Sequence, residues 1–240
     1  MISSNIGEVV SIFLSSVLGL PDGFNSIQLL WVNLVTDGLP AMALSFNPPD
    51  SDIMIRPPRD QSDGIVDAFL VVRYFATGVY VGLGTVGVFL YWYLFYEGAA
   101  DGHELVNFNQ LSNWAECPNW EGFKIKDFDG LGLDKNPCNY FTAGKARAST
   151  MSLSVLVIIE MFNAFNALSE NQSLLKTGPF VNKYLILAVF SSVFLHCVIL
   201  YVPYLNFLFG TAPLSTMVDF LAHVGLDHCR TVLVPSHHFG

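Results

Sequence analysis

The 240-residue sequence is short of charge. Asp, Glu, Lys and Arg make up 13% of it, about half the share carried by an ordinary soluble domain, so a freely soluble enzyme is not the expectation. Basic residues are scarcer still: 11 Lys and Arg stand against 20 Asp and Glu, a formal charge of −9. A chain this acidic lacks the cationic footprint that neutralises phosphates, which excludes nucleic acid as a partner. Four cysteines are too few for a disulfide scaffold. Cys197 lies in an apolar run and Cys229 near the end, which leaves Cys117 and Cys138, both in one polar loop, as a bridge the sequence allows. If they pair, that loop faces an oxidising lumen or the exterior. Nucleophile-elbow, S-x-x-K and Walker A motifs are missing as well, which removes the commonest hydrolase and phosphate-loop chemistries.

What the sequence has in quantity is apolar length. Hydrophobic residues reach 52%, and a bilayer core about 30 Å thick is crossed by about 20 mostly apolar residues in a helix. Tyr74 to Tyr96 carries no charge, Ile27 to Phe46 only Asp37, Thr150 to Leu168 only Glu160, and Tyr184 to Tyr204 none. Residues 1–20, apolar apart from Glu8 and without the basic start of a signal peptide, are read as part of a fifth span. The expected architecture is an all-α, polytopic transmembrane helix bundle with spans near 1–20, 27–46, 74–96, 150–168 and 184–204.

The connections are a Pro- and Asp-rich loop over 47–73, a long polar loop over 97–148 that holds Cys117 and Cys138, and a shorter link over 169–183. Basic residues do not orient the bundle, because the first and third loops together hold five and the long loop also holds five. A Cys117–Cys138 bridge would make the long loop lumenal and the Pro-rich loop, with Arg56, Arg59 and Arg73, cytosolic. The sequon Asn171-Gln172-Ser173 would then stay unglycosylated.

Glu8, Asp37 and Glu160 are the residues that carry chemistry. Each lies inside an apolar span, where a carboxylate costs about 2.5 to 3.5 kcal/mol at a helix centre. The bland alternative is a place at the headgroup boundary or a buried base as partner, but no Lys or Arg lies within these three spans. Asn5 and Glu8 are spaced i, i+3, and Asn33, Thr36 and Asp37 are spaced i, i+3, i+4, so each set shares a helical face. Amide, hydroxyl and carboxylate oxygens suit a hard cation such as calcium; sodium, potassium or a proton relay satisfies the same residues. Gly38 and Pro40 follow Asp37, and Pro40 cannot donate a helical hydrogen bond, which predicts unwinding there and free carbonyls.

Other patterns carry less. Gly82-Leu83-Gly84-Thr85-Val86-Gly87 fits a dinucleotide fingerprint but lies in an apolar span with no preceding strand, and Gly78 with Gly82 reads as a helix-packing face. His223, Asp227 and His228 read as a polar tail. His196 reads as an interhelical hydrogen-bonding residue, and Asn163 as a residue able to steady Glu160 from the next turn.

The string from Gln28 through Asn33, Thr36, Asp37 and Gly38 to Pro40-Ala41 (QLLWVNLVTDGLPA) resembles the sixth transmembrane helix of sarco/endoplasmic-reticulum calcium-transporting P-type ATPases. Ile2 to Glu8 is similar to the fifth helix, and Leu153 to Met161 with the run to Ser173 is similar to the eighth. Phe46 to Asp50 and Arg56-Pro57-Pro58-Arg59 match the cytosolic loop that follows the sixth helix, and the likeness covers residues 1–204. It implies the C-terminal membrane domain of a pump, in the endoplasmic or sarcoplasmic reticulum membrane, moving Ca2+ from cytosol to lumen.

The resemblance also assigns ligands. Asn5, Glu8, Thr36, Asp37 and Glu160 would form one calcium site; Asn33 and Asp37 would serve a second, which in the family also needs a glutamate and carbonyls from the fourth helix. A Cys117–Cys138 disulfide in the lumenal loop is implied too. The family's D-K-T-G-T phosphorylation motif and its nucleotide and actuator domains are not in this sequence, so ATP and Mg2+ belong to the complete pump and this stretch alone is not expected to hydrolyse ATP. Residues 205–240, with Asp219, His223, Asp227, His228 and Arg230, depart from the family's tenth helix and read as a divergent tail. Partners implied are the lipid bilayer, calcium ions, the remaining pump domains and small membrane regulators. The other reading of the residues is a non-enzymatic membrane fragment, acting as a regulator or an ion-conducting helix bundle.

Overall fold

The computed structural model describes residues 2–48, 68–96, 104–120, 122–125, 131–133, 135–168 and 181–214. Arg56, Arg59, the 171–173 sequon and the His223–His228 group lie outside the described residues. Within them the chain is helical and has no strand.

The helices are α1 (Ile2–Val17), α2 (Ser26–Trp31), a single wide turn (Val32–Thr36), α3 (Gly38–Leu44), α4 (Ala68–Leu94), α5 (Phe108–Ser112), a 3-10 segment (Trp114–Asn119), α6 (Asn139–Thr142), α7 (Ala146–Asn166), α8 (Lys183–Tyr201) and α9 (Pro203–Phe209). Four stretches are long and apolar enough to cross a bilayer: Ser26–Leu44, Leu70–Leu94, Asn139–Asn166 and Lys183–Tyr201. The first helix is apolar but has 16 residues. At 1.5 Å per residue it is about 24 Å long, less than the hydrocarbon core. It ends where Gly19, at φ +67°, turns the chain; a Cβ there would lie 2.7 Å from the Ser112 carbonyl oxygen, so only glycine fits both the turn and the loop beneath it. α4 starts at Ala68 and carries exposed Arg73 in its second turn, six residues before the expected start at 74. α8 ends at Tyr201, three residues short of the expected span end at 204, and α9 carries helix on into the stretch from 205 expected to be a divergent tail.

Burial is inverted relative to a soluble protein. α1 buries Ser4, Gly7, Glu8 and Ser11, at i, i+3, i+4 and i+7, while Val9, Phe13 and Val17 on its other faces are exposed. Leu34, Met42, Phe190, Phe194 and Phe207 are exposed too, and Thr36, Thr85, Ser149, Ser152 and Ser192 are inside. Water would penalise so continuous an apolar exterior; lipid does not, and it forces polar groups inward to find partners. The chain is a multi-pass membrane bundle.

At the centre α7 is buried on nearly every side from Ala148 to Met161, and α4, α3 and α8 pack around it. The closest pair is α1 on α4. Gly78 faces Ile6, and a Cβ on Gly82 would sit 2.5 Å from Val10 Cγ1. Gly84 turns instead toward Ile159 of α7. The glycine run is therefore a packing surface in mid-helix, as its spacing suggested.

The two ends of the bundle differ. At one, the described part of the long loop is folded onto the helices: Trp92 and Tyr93 of α4 cluster with Leu111, Cys117, Leu133, Tyr140 and Phe141, all buried. Cys117 and Cys138 form a disulfide inside that cluster, Cα–Cα 5.7 Å. The segment read as a polar loop is thus a small aromatic core, because its Trp, Tyr and Phe residues pack on the helix end. Gln28, fully buried, joins this end by donating to the Phe209 carbonyl (3.1 Å) and accepting from Ser149 Oγ (3.2 Å) and the Asn25 N–H (3.0 Å). At the opposite end Asn182 caps α8, accepting from the Tyr184 and Leu185 N–H groups, and donates to the Ala43 carbonyl at 2.9 Å.

Gly82→Ala is expected to lower stability by about 1–3 kcal/mol through overpacking against a branched Val, whereas Gly87→Ala, with open space around it, should be neutral. Melting temperatures of the two variants in detergent compare them directly, and equal values would contradict the packing role.

Candidate cation site

Three carboxylates come to the bundle interior from three elements. Glu8 lies in α1, Asp37 at the junction of the wide turn and α3, and Glu160 in α7, each exposed by 7% or less. Asp37 is the charge neighbour of both of the others. Each needs explaining, since an isolated buried carboxylate is among the costliest groups in a membrane.

Part of the explanation is hydrogen bonding. Ser4 Oγ donates to Glu160 Oε2 at 2.6 Å, and Asn33 Nδ2 donates to Glu8 Oε2 at 2.9 Å. The remaining oxygens go unanswered: Glu8 Oε1, Thr36 Oγ1, Asp37 Oδ2 and Glu160 Oε1 are all buried without a hydrogen-bond partner among the described residues. Buried polar atoms are paired in the great majority of cases. Four orphan oxygens on three helical elements are what a site for a hard cation would present, because such an ion takes oxygen donors and no others. Among the described residues no three His, Cys, Asp or Glu side chains converge to hold an ion by themselves. An ion here needs hydroxyl and amide oxygens as well as carboxylates.

The helix carrying Asp37 is not unwound as Gly38 and Pro40 suggested. Instead the Asp37 N–H donates to the Val32 carbonyl, five residues back, at 2.9 Å, so the chain makes one turn of a wider helix across Val32–Thr36. Such single wide turns recur at functional sites. Ordinary helical bonding resumes with Ala41 N–H to the Asp37 carbonyl at 3.1 Å. The helix keeps its continuity while absorbing one extra residue, which an unwound segment in lipid could not do without exposing backbone polar groups.

The six expected ligands are placed unequally. Glu8, Thr36, Asp37 and Glu160 are buried, Asn33 is half-buried and bonded to Glu8, and Asn5 is exposed on α1. Asn5 follows Ser4 by one residue, about 100° around the helix, which carries it off the buried face. Ser4 is the residue the sequence reading missed; its spacing of i−4 from Glu8 and i−7 from Ser11 marks a polar stripe that was there to be seen. Asn163, expected to steady Glu160, lies beside it as a side-chain hydrogen-bonding neighbour, though its amide nitrogen makes no close hydrogen bond. It lines with Asp37 and Glu160 a cavity of about 370 Å3 that also touches Ser4, Pro40 and Tyr74. His196 meets its expectation, with Nε2 3.0 Å from Ser154 Oγ across the α7–α8 contact.

Ser4→Ala removes the close hydrogen bond that Glu160 Oε2 accepts and leaves Asn163 as the side-chain neighbour of a buried carboxylate. Loss of about 1–3 kcal/mol is expected, read as a lower melting temperature, and Ser4→Thr should restore most of it; an unchanged melting temperature in Ser4→Ala would exclude this support of Glu160.

The sequence matches the family model described as cation transporting ATPase, C-terminus, over residues 21–226, past the point at 204 where the resemblance by eye stopped. Calcium-transporting ATPase 4, endoplasmic reticulum-type, of Arabidopsis thaliana is 55% identical, over 90% of this chain and 21% of its own length. A calcium-transporting ATPase of Plasmodium falciparum is 52% identical, over 92% of this chain and 18% of its own length. Calcium-transporting ATPase 2, endoplasmic reticulum-type, of Arabidopsis thaliana is also 52% identical, over 90% and 22%. The chain spans about a fifth of the length of these relatives.

Proposed function

The chain belongs to the cation-transporting ATPase C-terminal family, and from that premise we propose that it is the ion-binding membrane part of an ATP-driven calcium pump of the endoplasmic or sarcoplasmic reticulum, carrying Ca2+ from cytosol to lumen. The observation that carries the reading is the set of four partnerless buried oxygens, Glu8 Oε1, Thr36 Oγ1, Asp37 Oδ2 and Glu160 Oε1. Relatives named as calcium-transporting ATPases at 52–55% identity supply the ion.

In this reading Glu8, Thr36, Asp37 and Glu160 contribute side-chain oxygens to the transported calcium, with Asn33 turning its amide oxygen inward once Glu8 is engaged by the ion. Asn5 lies on a face of α1 left exposed by the described helices, the face on which a further helix of the pump would complete the ligand shell. ATP and Mg2+ act at the remaining domains. Their work reaches this bundle as a shift between two arrangements with different calcium affinity, since a ligand moves an equilibrium only through such a difference. The residues 47–73 are the proposed cytosolic contact with those domains, and the disulfide-bearing end is the lumenal one, where oxidised cysteines persist.

The test is equilibrium binding of radioactive calcium to the full-length protein in membranes, with vesicle uptake beside it. Asp37→Asn should abolish saturable binding and calcium uptake, with Glu160→Gln weakening binding at least tenfold. Saturable binding and uptake at parental levels in Asp37→Asn would overturn the assignment and favour a regulatory or ion-conducting role that does not need this carboxylate.

A further inference from the structure

Pro40 has no N–H, so the Thr36 carbonyl, four residues earlier, loses the donor that a regular helix supplies. The Ala41 to Asp37 bond shows that the α-helical register is in place just after it. Residue 40 is therefore the missing donor. The gap is filled from another helix: Ser192 Oγ of α8, 1% exposed, donates to the Thr36 carbonyl oxygen at 3.4 Å.

Ser192, like Ser152, which donates to the Thr85 carbonyl at 3.0 Å, spends its hydroxyl on a neighbouring helix. The default is a bond to the carbonyl four residues back on its own helix, as Ser11 makes to Gly7 (2.7 Å) and Ser154 to Thr150 (2.8 Å). Ser192 gives its hydrogen to a different helix, at the residue next to Asp37. One turn along the same face of α8, His196 is 3% exposed and meets Ser154 Oγ of α7, the helix that holds Glu160. The two residues are spaced i, i+4 and thereby fix α8 to two of the three elements that deliver carboxylates to the interior, those of Asp37 and Glu160.

We propose that Ser192 is a positioning residue for cation binding: by holding the Thr36 carbonyl toward α8 it orients the wide turn so that the Thr36 hydroxyl and the Asp37 carboxylate face Glu160, with His196 holding the same helix to α7. The inference rests on the reading of Glu8, Thr36, Asp37 and Glu160 as calcium ligands. It adds a residue from a helix that contributes no ligand of its own. Without the Ser192 hydroxyl the Thr36 carbonyl is left buried and unpaired, and the turn relaxes toward whatever donor it can reach.

The experiment measures the calcium-concentration dependence of radioactive calcium binding and uptake in vesicles bearing the full-length protein. Ser192→Ala should raise the half-saturating calcium concentration about five- to tenfold while maximal uptake stays within about twofold, and Ser192→Thr should return it to the parental value. A second background isolates the bond itself. Pro40→Ala supplies an N–H to the Thr36 carbonyl, so there Ser192→Ala should shift half-saturation by less than about twofold. Parental half-saturation in Ser192→Ala overturns the proposal, as does loss of maximal uptake at unchanged half-saturation, or an undiminished shift in the Pro40→Ala background. Asp37→Asn in the same series separates the two levels: if it binds calcium normally, the site fails and this inference with it. If it loses binding while Ser192→Ala is silent, the positioning role alone fails.

Discussion

Every polar group in the interior of this bundle must find its partner in the protein, because hydrocarbon offers none. That constraint decides where residues go. Serine and threonine hydroxyls fall back on the carbonyls of their own helices or bond across to a neighbour, as Ser11 does to both Gly7 and Thr85 and Ser152 to the Thr85 carbonyl. Gln28 uses both ends of its amide, and His196 finds Ser154. Other buried side-chain atoms also go without a close partner, among them Trp31 Nε1, Asn47 Oδ1, Asn163 Nδ2 and His196 Nδ1, but the oxygens of Glu8, Thr36, Asp37 and Glu160 differ from them in belonging to an acidic group in which Asp37 is the charge neighbour of both glutamates. Buried carboxylates without partners either take up protons or are met by a cation, and an acidic, oxygen-only set suits a hard one. Calcium as that ion belongs to the proposed function and rests on the names of the relatives; the oxygens would also accept another hard ion.

Proline at position 40 shows how one covalent feature spreads through the packing. The five-residue bond from Asp37 to Val32 widens a single turn, and the missing N–H of Pro40 leaves the Thr36 carbonyl at its end without the regular helical donor. A full break would have exposed several carbonyls to lipid or to one another. The wide turn exposes fewer, and α8 answers one of them. The same arrangement leaves a place where the helix can change its local bonding without breaking, which the two-affinity alternation of the proposed function would call on.

Much of the fold was legible because lipid solvation writes a long apolar run for each span, and the three carboxylates interrupting those runs were legible for the same reason. Span ends were less so: Arg73 looked like a boundary, yet α4 begins at Ala68, since a long basic side chain can reach the interface from within a helix. The loop between α4 and α7 misled by composition. Its charges and glycines outnumber the few aromatics, but Trp120, Tyr140 and Phe141 with Trp92 and Tyr93 build a core. At the site, carboxylates announce themselves by cost, whereas Ser4 and Ser192 do not, because serine is cheap inside a membrane helix and acquires meaning only from what it faces. Spacing and the family resemblance group Asn5 with Glu8; among the described helices it lies on an exposed face of α1, which spacing to Glu8 alone does not reveal.

The two ends of the bundle are built for different duties. One holds a disulfide, a stacked aromatic cluster and the Gln28 node that ties α2, α7 and α9 together, so relative movement there would break several buried contacts at once. The other holds a smaller buried cluster, Ala43, Leu168 and Leu185, the Asn182 cap and a cavity reaching Asp37 and Glu160. Packed cores are bistable rather than freely deformable, and the end with fewer buried cross-links has fewer contacts to break when a helix moves. Under the proposed function, a movement of α3 about the wide turn would turn the Asp37 carboxylate more than it displaced it, because that residue sits at the junction of the two elements, and a change of orientation alters how a carboxylate can meet an ion.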